Sequence, residues 1–113
     1  MPLDLVKNLQ KDYIDKLVQF AKLHYRIFNH LEDSQIRAFF ENFKETTLVT
    51  QQNGTIRGFA VYVDRPSGLY FIAICGIDDM LTNFLNMLKG RDKLPKKDIY
   101  FHNNNFELRK WNM

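Results

Sequence analysis

The only thiol in this sequence of 113 residues is Cys75, and a thiolate is a ready nucleophile. A catalytic cysteine ionises because a basic neighbour or a helix N-terminus lowers its pKa. Cys75 instead ends the apolar run LYFIAIC and has no basic residue beside it. The sequence therefore favours a buried, inert thiol, with nucleophilic catalysis as the alternative. A single cysteine also excludes an internal disulfide and gives no support for a cysteine-based zinc site.

Three histidines, His24, His30 and His102, are the other candidates for acid–base or metal chemistry. His24 lies on the apolar stripe of a predicted helix, which favours a buried, hydrogen-bonded histidine over a catalytic base. His30 lies in a predicted loop beside Glu32 and Asp33. No spacing typical of metal ligands joins it to the distant His102. We therefore expect no metal site.

A basic run late in the chain could contact phosphate. Asp92 and Asp98 dilute its charge, and lysines at the end of a helix are explained equally well by the helix dipole and by solubility. Weak nucleic-acid binding is therefore one hypothesis, and a solvated surface is the favoured one. The run contains Lys89, Arg91, Lys93, Lys96 and Lys97, with Arg109 and Lys110 nearby across a predicted hairpin.

The elements that must position these groups centre on residues 46–75, which predict three consecutive β-strands, TTLVTQQ, IRGFAVYV and LYFIAIC. Asn53-Gly54 is typical of a tight hairpin turn, and Pro66 with Gly68 marks the second turn. The third strand is apolar almost throughout, which predicts that both faces of the sheet are covered. The predicted core residues of these strands are Leu48, Val49, Ile56, Phe59, Val61, Leu69, Phe71, Ile72 and Ile74.

Apolar spacings of three and four residues predict helices on both sides of this meander. The helices run from about Asp4 or Gln10 to Asn29, from Asp33 or Ser34 to Phe43, and from Asp78 to Lys89. A fourth strand is predicted from Asp98 to Asn103. Residues 105–112 fit either a strand returning in a hairpin or the start of a helix, and we favour the strand. The chain is thus predicted to be α+β, with an antiparallel sheet, the first two helices on one side and the third on the other.

The length and composition of the chain indicate which class of protein it belongs to. At 113 residues, 45% of them hydrophobic and 14% aromatic, residues 1–113 are expected to form a single globular domain. The net charge is +3, with an isoelectric point near 9.0. No charged-then-apolar leader and no apolar run of about 20 residues is visible, so a soluble, cytoplasmic protein without a membrane partner is expected.

The order of these elements, with TLVTQQNGTIRGFAVY at its centre, resembles the GNAT acyltransferase superfamily from about Val18 to Phe101. The segment Ile56-Arg57-Gly58-Phe59-Ala60 matches the I-x-G-F/A pattern of that family. The stretch FAKLHYRIFNHLEDSQIRAFFENF looks like the paired helices that precede the meander in small GNAT-like proteins, many of them encoded by bacteriophages. The resemblance implies a truncated GNAT-like domain, virion-associated if it is phage-encoded.

In GNAT enzymes the turn after the third meander strand carries a pair of small residues whose backbone N–H groups hold the acetyl-CoA pyrophosphate. The corresponding residues here are Cys75-Gly76-Ile77-Asp78-Asp79, which offer one glycine and two carboxylates. A pyrophosphate would meet like charge there. The resemblance therefore implies a degenerate site without bound acetyl-CoA, in a non-catalytic binding or structural domain.

The alternative that the resemblance implies is a divergent acyltransferase that acetylates an amine. Its pantetheine arm would pair with backbone at Ile72, Ala73, Ile74 and Gly76, and its phosphates would contact Arg91 or Lys93. A tyrosine often serves that family as general acid. Tyr70 is the candidate here, with Tyr62 second. Cys75 would lie close to the acyl group, and aromatic packing is the ordinary explanation for both tyrosines.

The C-terminal hairpin is predicted to leave an unpaired strand edge. Phe106, Leu108 and Trp111 are large apolar residues there. We expect a protein partner or a second copy of the chain to cover this edge, the alternative being that Trp111 folds back onto the first helix.

Overall fold

The computed structural model describes residues 4–6, 11–76, 97–102 and 108–111, and for 4–6, 102 and 108–111 it describes the backbone. The helices are α1 (Lys11–His24) and α2 (Asp33–Asn42), joined through a 3₁₀ turn at Arg26–Phe28. The strands are β1 (Asp4–Val6), β2 (Thr47–Gln52), β3 (Thr55–Arg65), β4 (Gly68–Gly76), β5 (Ile99–His102) and β6 (Leu108–Trp111).

The described strands form one six-stranded sheet in the order β1-β2-β3-β4-β5-β6. The predicted meander is confirmed as β2, β3 and β4, and Asn53 and Gly54 take positive φ values of 54° and 78° in its first turn. The predicted α+β class is also confirmed. The expectation of a purely antiparallel sheet is wrong, because β5 runs parallel to β4. A connection long enough to cross over the sheet, residues 77–98, permits that direction.

The C-terminal segments also resolve the alternatives left by the sequence. β5 falls within the predicted strand 98–103 and is the second strand from one edge of the described sheet. Residues 108–111 form strand β6 antiparallel to β5, so the choice of strand over helix is confirmed. The predicted third helix, from Asp78 to Lys89, lies outside the described residues.

The limits of the first helix differ from prediction. A start near Asp4 is wrong, because residues 4–6 pair with β2 as an edge strand, Leu5 opposite Thr50. An end at Asn29 is also wrong: Tyr25 takes an extended conformation, φ −94° and ψ 104°, and a 3₁₀ turn follows. This turn places Phe28 in the hydrophobic core against which the helix also packs. The apolar spacing in the sequence therefore continues beyond the end of the helix.

The second helix agrees with prediction except at its cap. Glu32, not Asp33 or Ser34, is the N-cap residue, and it forms a reciprocal capping box with Gln35. The carboxylate of Asp33 instead accepts a hydrogen bond from Lys22 Nζ at 2.8 Å. Arg37 pairs with Asp15 in the same way, so two ion pairs tie α2 to α1.

The core consists of two clusters on opposite faces of the sheet. Both α helices cover the first face, as predicted, and contribute Leu17, Val18, Ile36 and Phe40 to a cluster with Phe59 and other strand residues. The second cluster contains Leu48, Ala60, Tyr62, Leu69, Phe71 and Ile99. Every predicted core residue of the meander is at least partly buried except Ile72, of which 42% is exposed.

A β-bulge explains the exposure of Ile72. Val61 is opposite Ala73 and Tyr62 is opposite Phe71, so Ile72 is an extra residue without a partner on β3. Because side chains alternate between faces, one extra residue reverses the alternation of everything before it. Ala73 therefore packs against the helices, and Phe71 packs in the second cluster.

No helix in the described part of the chain is both long and apolar enough to cross a bilayer.

β4 leaves no room for a side chain at Gly58 of β3. A Cβ atom on Gly58 would lie 2.7 Å from the Cys75 carbonyl oxygen and 3.2 Å from Gly76 Cα. We expect Gly58→Ala to lower the free energy of unfolding by about 2–3 kcal/mol, because neither backbone contact can yield without distorting the sheet. The measurement is equilibrium unfolding in urea.

Gly54→Ala is the matched control, since its Cβ would meet nothing within 4 Å and only its φ of +78° opposes the change. We expect this control to lose about 1 kcal/mol. Equal losses in the two variants would contradict the steric explanation.

Candidate functional site

The last half of β4 is the candidate site, because β4 there extends beyond its neighbour. β5 pairs with β4 only at Leu69, Tyr70 and Phe71, opposite Ile99, Tyr100 and Phe101. Within the described residues, no strand pairs with this side of β4 from Ile72 to Gly76. We call this segment the open β4 edge. Its backbone N–H and C=O groups are available to an extended ligand.

Four of the predicted cofactor residues lie together on the open β4 edge. Ile72 is exposed at the bulge and Gly76 is exposed at the end of the strand. Ala73 is only 5% exposed and packs against the helices, whereas Ile74 packs on the opposite face. These residues could therefore offer backbone rather than side chains to a ligand. The predicted phosphate contacts Arg91 and Lys93 lie outside the described residues.

Cys75 is buried on the helix-covered side of this edge, in the cluster that contains Phe59. Burial raises the pKa of its thiol to about 11, because a thiolate would lose its hydration there. At neutral pH the group is therefore a thiol. Tyr25 is its electrostatic neighbour: burial first, and then the charge of an ionised Cys75, raises the pKa of the Tyr25 hydroxyl. The described surroundings of Cys75 suppress nucleophilic chemistry.

Tyr70 lies at the other end of β4. Its ring stacks on Tyr100 with the centroids 4.8 Å apart and the planes 11° from parallel. Its hydroxyl lies 2.9 Å from Ser67 Oγ, within hydrogen-bonding distance. Cys75 is five positions after Tyr70, which corresponds to roughly 15 Å along a strand. The two predicted catalytic residues therefore do not share one site.

Tyr62, the second candidate for a general acid, is 2% exposed and packs edge-to-face on Phe71 with centroids 5.6 Å apart. Burial, and then the negative charge of Asp64, raises the pKa of its hydroxyl. Its ring serves the second cluster, in agreement with the ordinary explanation for an aromatic residue in a strand.

The remaining predicted groups do not join this site. The expectation that His24 is buried is wrong: it is exposed at the end of α1, with its ring 4.7 Å from that of Phe20, because the helix ends there. His30 is also exposed, and only the backbone of His102 is described. In the part of the chain that the structure describes, no three His, Cys, Asp or Glu side chains are grouped so that they could hold a metal ion.

Of the basic run, only Lys97 is described. Its Nζ donates to Asp64 Oδ1 at 2.6 Å and to the Arg65 carbonyl oxygen at 3.2 Å, so it ties the start of β5 to the β3–β4 hairpin. Arg109 and Lys110 lie on β6, where the backbone is described.

Two residues that the sequence did not single out contribute to these environments. Tyr100 covers Tyr70, and Tyr25 packs edge-to-face on Phe59 beside Cys75. Tyr100 contacts Tyr70 because of the register between β5 and β4, and the sequence of one segment does not show that register. Tyr25 could have been found from its position after the last turn of α1, but only if the end of that helix had been predicted correctly.

Solved structures with the same fold identify the architecture. An acetyltransferase of the GNAT family from Bacillus cereus superposes with a TM-score of 0.66 at 14% sequence identity, covering 89% of this chain and 70% of that one. The chain has a GNAT fold. N-acetylglutamate synthase from Neisseria gonorrhoeae, solved with coenzyme A and N-acetyl-glutamate, superposes with a TM-score of 0.54 at 12% identity. That match covers 93% of this chain and 26% of the synthase. No family model and no curated protein matches the sequence significantly.

The pKa of Cys75 predicts slow alkylation. With a pKa of about 11 in place of 9.0, the folded protein holds about 100-fold less thiolate at pH 8. We expect iodoacetamide to react about 100-fold more slowly with the folded protein than with the protein unfolded in urea. The rate in the folded state should rise with pH towards 11. Because Cys75 is the only cysteine, mass spectrometry of the whole chain measures it directly.

The control is a Cys75→Ser variant, which should take up no label. Equal alkylation rates for the folded and unfolded protein at pH 8 would contradict the burial of the thiol.

Proposed function

We propose that this GNAT-fold chain is an interaction domain that does not transfer acyl groups. The observation that supports this proposal best is the environment of the two candidate catalytic residues on β4. Cys75 is a neutral, buried thiol, and the Tyr70 ring is stacked at the opposite end of the strand. We infer that neither side chain acts on a group bound at the open β4 edge.

The sequence after β4 supports the same proposal. A GNAT-type pyrophosphate site depends on backbone N–H groups that converge on an anion. Here Gly76 is followed by Ile77, Asp78 and Asp79. Two carboxylates beside a pyrophosphate repel it, at a cost on the order of 1 kcal/mol for each pair of like charges at an effective dielectric near a protein surface. We propose that acetyl-CoA is not a cofactor of this chain.

The proposed interaction surface is the outer edge of β6. β6 pairs on one side with β5 and ends the described sheet. An edge strand presents unpaired N–H and C=O groups, which a second strand can satisfy. Antiparallel pairing of β6 with its own copy satisfies both edges at once through a two-fold axis. We therefore propose a symmetric dimer that joins two sheets through β6.

A specific observation favours one other function, a divergent N-acyltransferase. The bulge at Ile72 and the end of pairing after Phe71 leave the open β4 edge free, within the described residues, for a pantetheine arm. The Neisseria gonorrhoeae synthase of the same fold was solved with coenzyme A. In this alternative, Arg91 or Lys93 would hold the phosphates that Asp78 and Asp79 repel.

Calorimetry with acetyl-CoA separates the two functions. We expect no binding heat at acetyl-CoA concentrations up to about 1 mM, because the carboxylates after Gly76 oppose the pyrophosphate. The matched variant is Asp78→Asn with Asp79→Asn, which removes the two charges and keeps the side-chain shapes. Weak binding that appears only in this variant would assign the loss to those carboxylates. Micromolar binding to the unaltered chain would contradict the proposal and favour the acyltransferase.

Light scattering tests the proposed dimer. We expect a mass twice that of the chain, falling to that of a monomer when the chain ends at Asn104, because β6 is then absent. Proline variants keep the full chain. Of the adjacent amides of Arg109 and Lys110, one points to β5 and the other outward, so one of Arg109→Pro and Lys110→Pro blocks only the outer edge.

We expect the variant that blocks the outer edge to be a folded monomer with an unchanged circular dichroism spectrum. A monomeric unaltered chain, or a dimer that persists in both proline variants, would contradict pairing through β6.

A further inference from the structure

The turn between β2 and β3 contains a pair of residues that neither the GNAT resemblance nor the proposed dimer uses. Its central residues are Asn53 and Gly54, and the ladder beside it begins with Gln52 opposite Thr55. Both central residues have positive φ, 54° and 78°, as in a type I′ hairpin turn. An asparagine followed by glycine is also a pair in which the backbone can attack the side chain.

That attack is a deamidation that needs only water. The Gly54 nitrogen forms a bond to Asn53 Cγ, and the bond from Cγ to Nδ2 breaks. Ammonia leaves with the proton of the Gly54 amide, and a cyclic succinimide remains. Water then opens the ring by breaking the bond from the Gly54 nitrogen to one of the two carbonyl carbons. One opening gives aspartate, and the other gives isoaspartate, in which the backbone runs through the side chain.

The Gly54 amide is accessible for this attack. It belongs to the turn and not to the ladder, in which Gln52 pairs with Thr55. Asn53, Gly54 and Thr55 are exposed, so water reaches the site. A Cβ atom added at Gly54 would meet nothing within 4 Å apart from its chain neighbours. No other part of the described chain therefore covers the reacting atoms.

One rotation of the backbone brings the reacting atoms together. In a succinimide the ring eclipses Asn53 Cβ with the Gly54 nitrogen, which fixes ψ of an L-residue at about −120°, the value at the first central position of a type II′ turn. Asn53 already has the positive φ of that position. Rotating the peptide unit between Asn53 and Gly54 converts type I′ into type II′, and glycine accepts either sign of φ. Both turns match the twist of the strands, so the ladder stays in place.

We propose that Asn53 is a site of spontaneous deamidation in the folded protein, reached by rotation of its peptide unit with Gly54 from type I′ to type II′. Both products add one negative charge to a chain whose net charge is +3. Isoaspartate also lengthens the connection between Gln52 and Thr55 by one backbone atom. The site is independent of β6 and of acetyl-CoA, so its test does not depend on the proposed function.

The test compares the full chain at pH 8 when folded and when unfolded in guanidinium chloride. Trypsin releases residues 45–57, in which Asn53 is the only asparagine. Mass spectrometry detects the replacement of the side-chain NH₂ by OH, and chromatography separates the aspartate and isoaspartate peptides. A sample digested at zero time corrects for reaction during digestion.

We expect the folded chain to react at a rate within about tenfold of that of the unfolded chain. Both turn types are common in hairpins, and a tenfold difference in their populations corresponds to only about 1.4 kcal/mol. If the reaction required global unfolding, the rate would instead fall by the equilibrium constant for unfolding, about 1,000-fold or more. The rate should rise with pH, because the deprotonated nitrogen attacks.

Asn42 is the matched control within the same chain. It ends α2, and the nitrogen that would attack its side chain, that of Phe43, donates to the Phe39 carbonyl oxygen at 3.2 Å. Trypsin places Asn42 in residues 38–44, where it is the only asparagine. The ratio of folded to unfolded rate should therefore be smaller for Asn42 than for Asn53. An Asn53→Gly variant, which keeps the positive φ and lacks the amide, should give no product in residues 45–57.

Three results would overturn the proposal. They are a folded rate at Asn53 below the tenfold limit, a ratio of folded to unfolded rate no larger than that of Asn42, and an unchanged yield of product in the Asn53→Gly variant. The last result would assign the reaction to Gln51 or Gln52, the other side-chain amides in the same peptide.

Discussion

The extra residue in β4 is the constraint on which the arrangement of the sheet depends. Ile72 has no partner on β3, and the alternation of side chains reverses across it. As a result Ala73 and Cys75 pack under the helices, whereas Phe71 packs on the opposite face. Without the bulge, a single strand could not supply both clusters in this order, because a strand of strict period two keeps alternate residues on one face.

The same bulge is close to the candidate site, because it lies where the pairing of β4 with β5 ends. Pairing with β5 ends at Phe71, one residue before the bulge, and the strand then continues to Gly76. The backbone at this edge is open to a ligand in the described structure. Cys75 packs among apolar residues that include Phe59, which keeps its thiol neutral at physiological pH.

Unequal strand lengths create two edges at opposite ends of the meander. β4 extends past β5 at one end, and β3 extends past β2 at the other. The first edge has an apolar, uncharged side chain at its bulge, whereas the second is bordered by Glu41, Glu45 and Asp64. A strand edge supplies the same backbone groups in both places, so the two edges differ in the charge of the side chains around them.

The sequence by itself determined the meander, the second helix and the GNAT resemblance. These depend on local chemistry. Asn53-Gly54 tolerates positive φ, and the spacing of apolar residues, two in a strand and three or four in a helix, indicates which face is buried. Only the tertiary structure decided the bulge at Ile72, the three-residue strand β1 and the parallel direction of β5, because each depends on pairing between segments distant in the chain. The exposure of His24 and the stacking of Tyr70 on Tyr100 have the same origin, since a helix end or a strand register places them. A residue type states what a side chain can do, but only its neighbours across the fold decide its protonation and its access to a ligand.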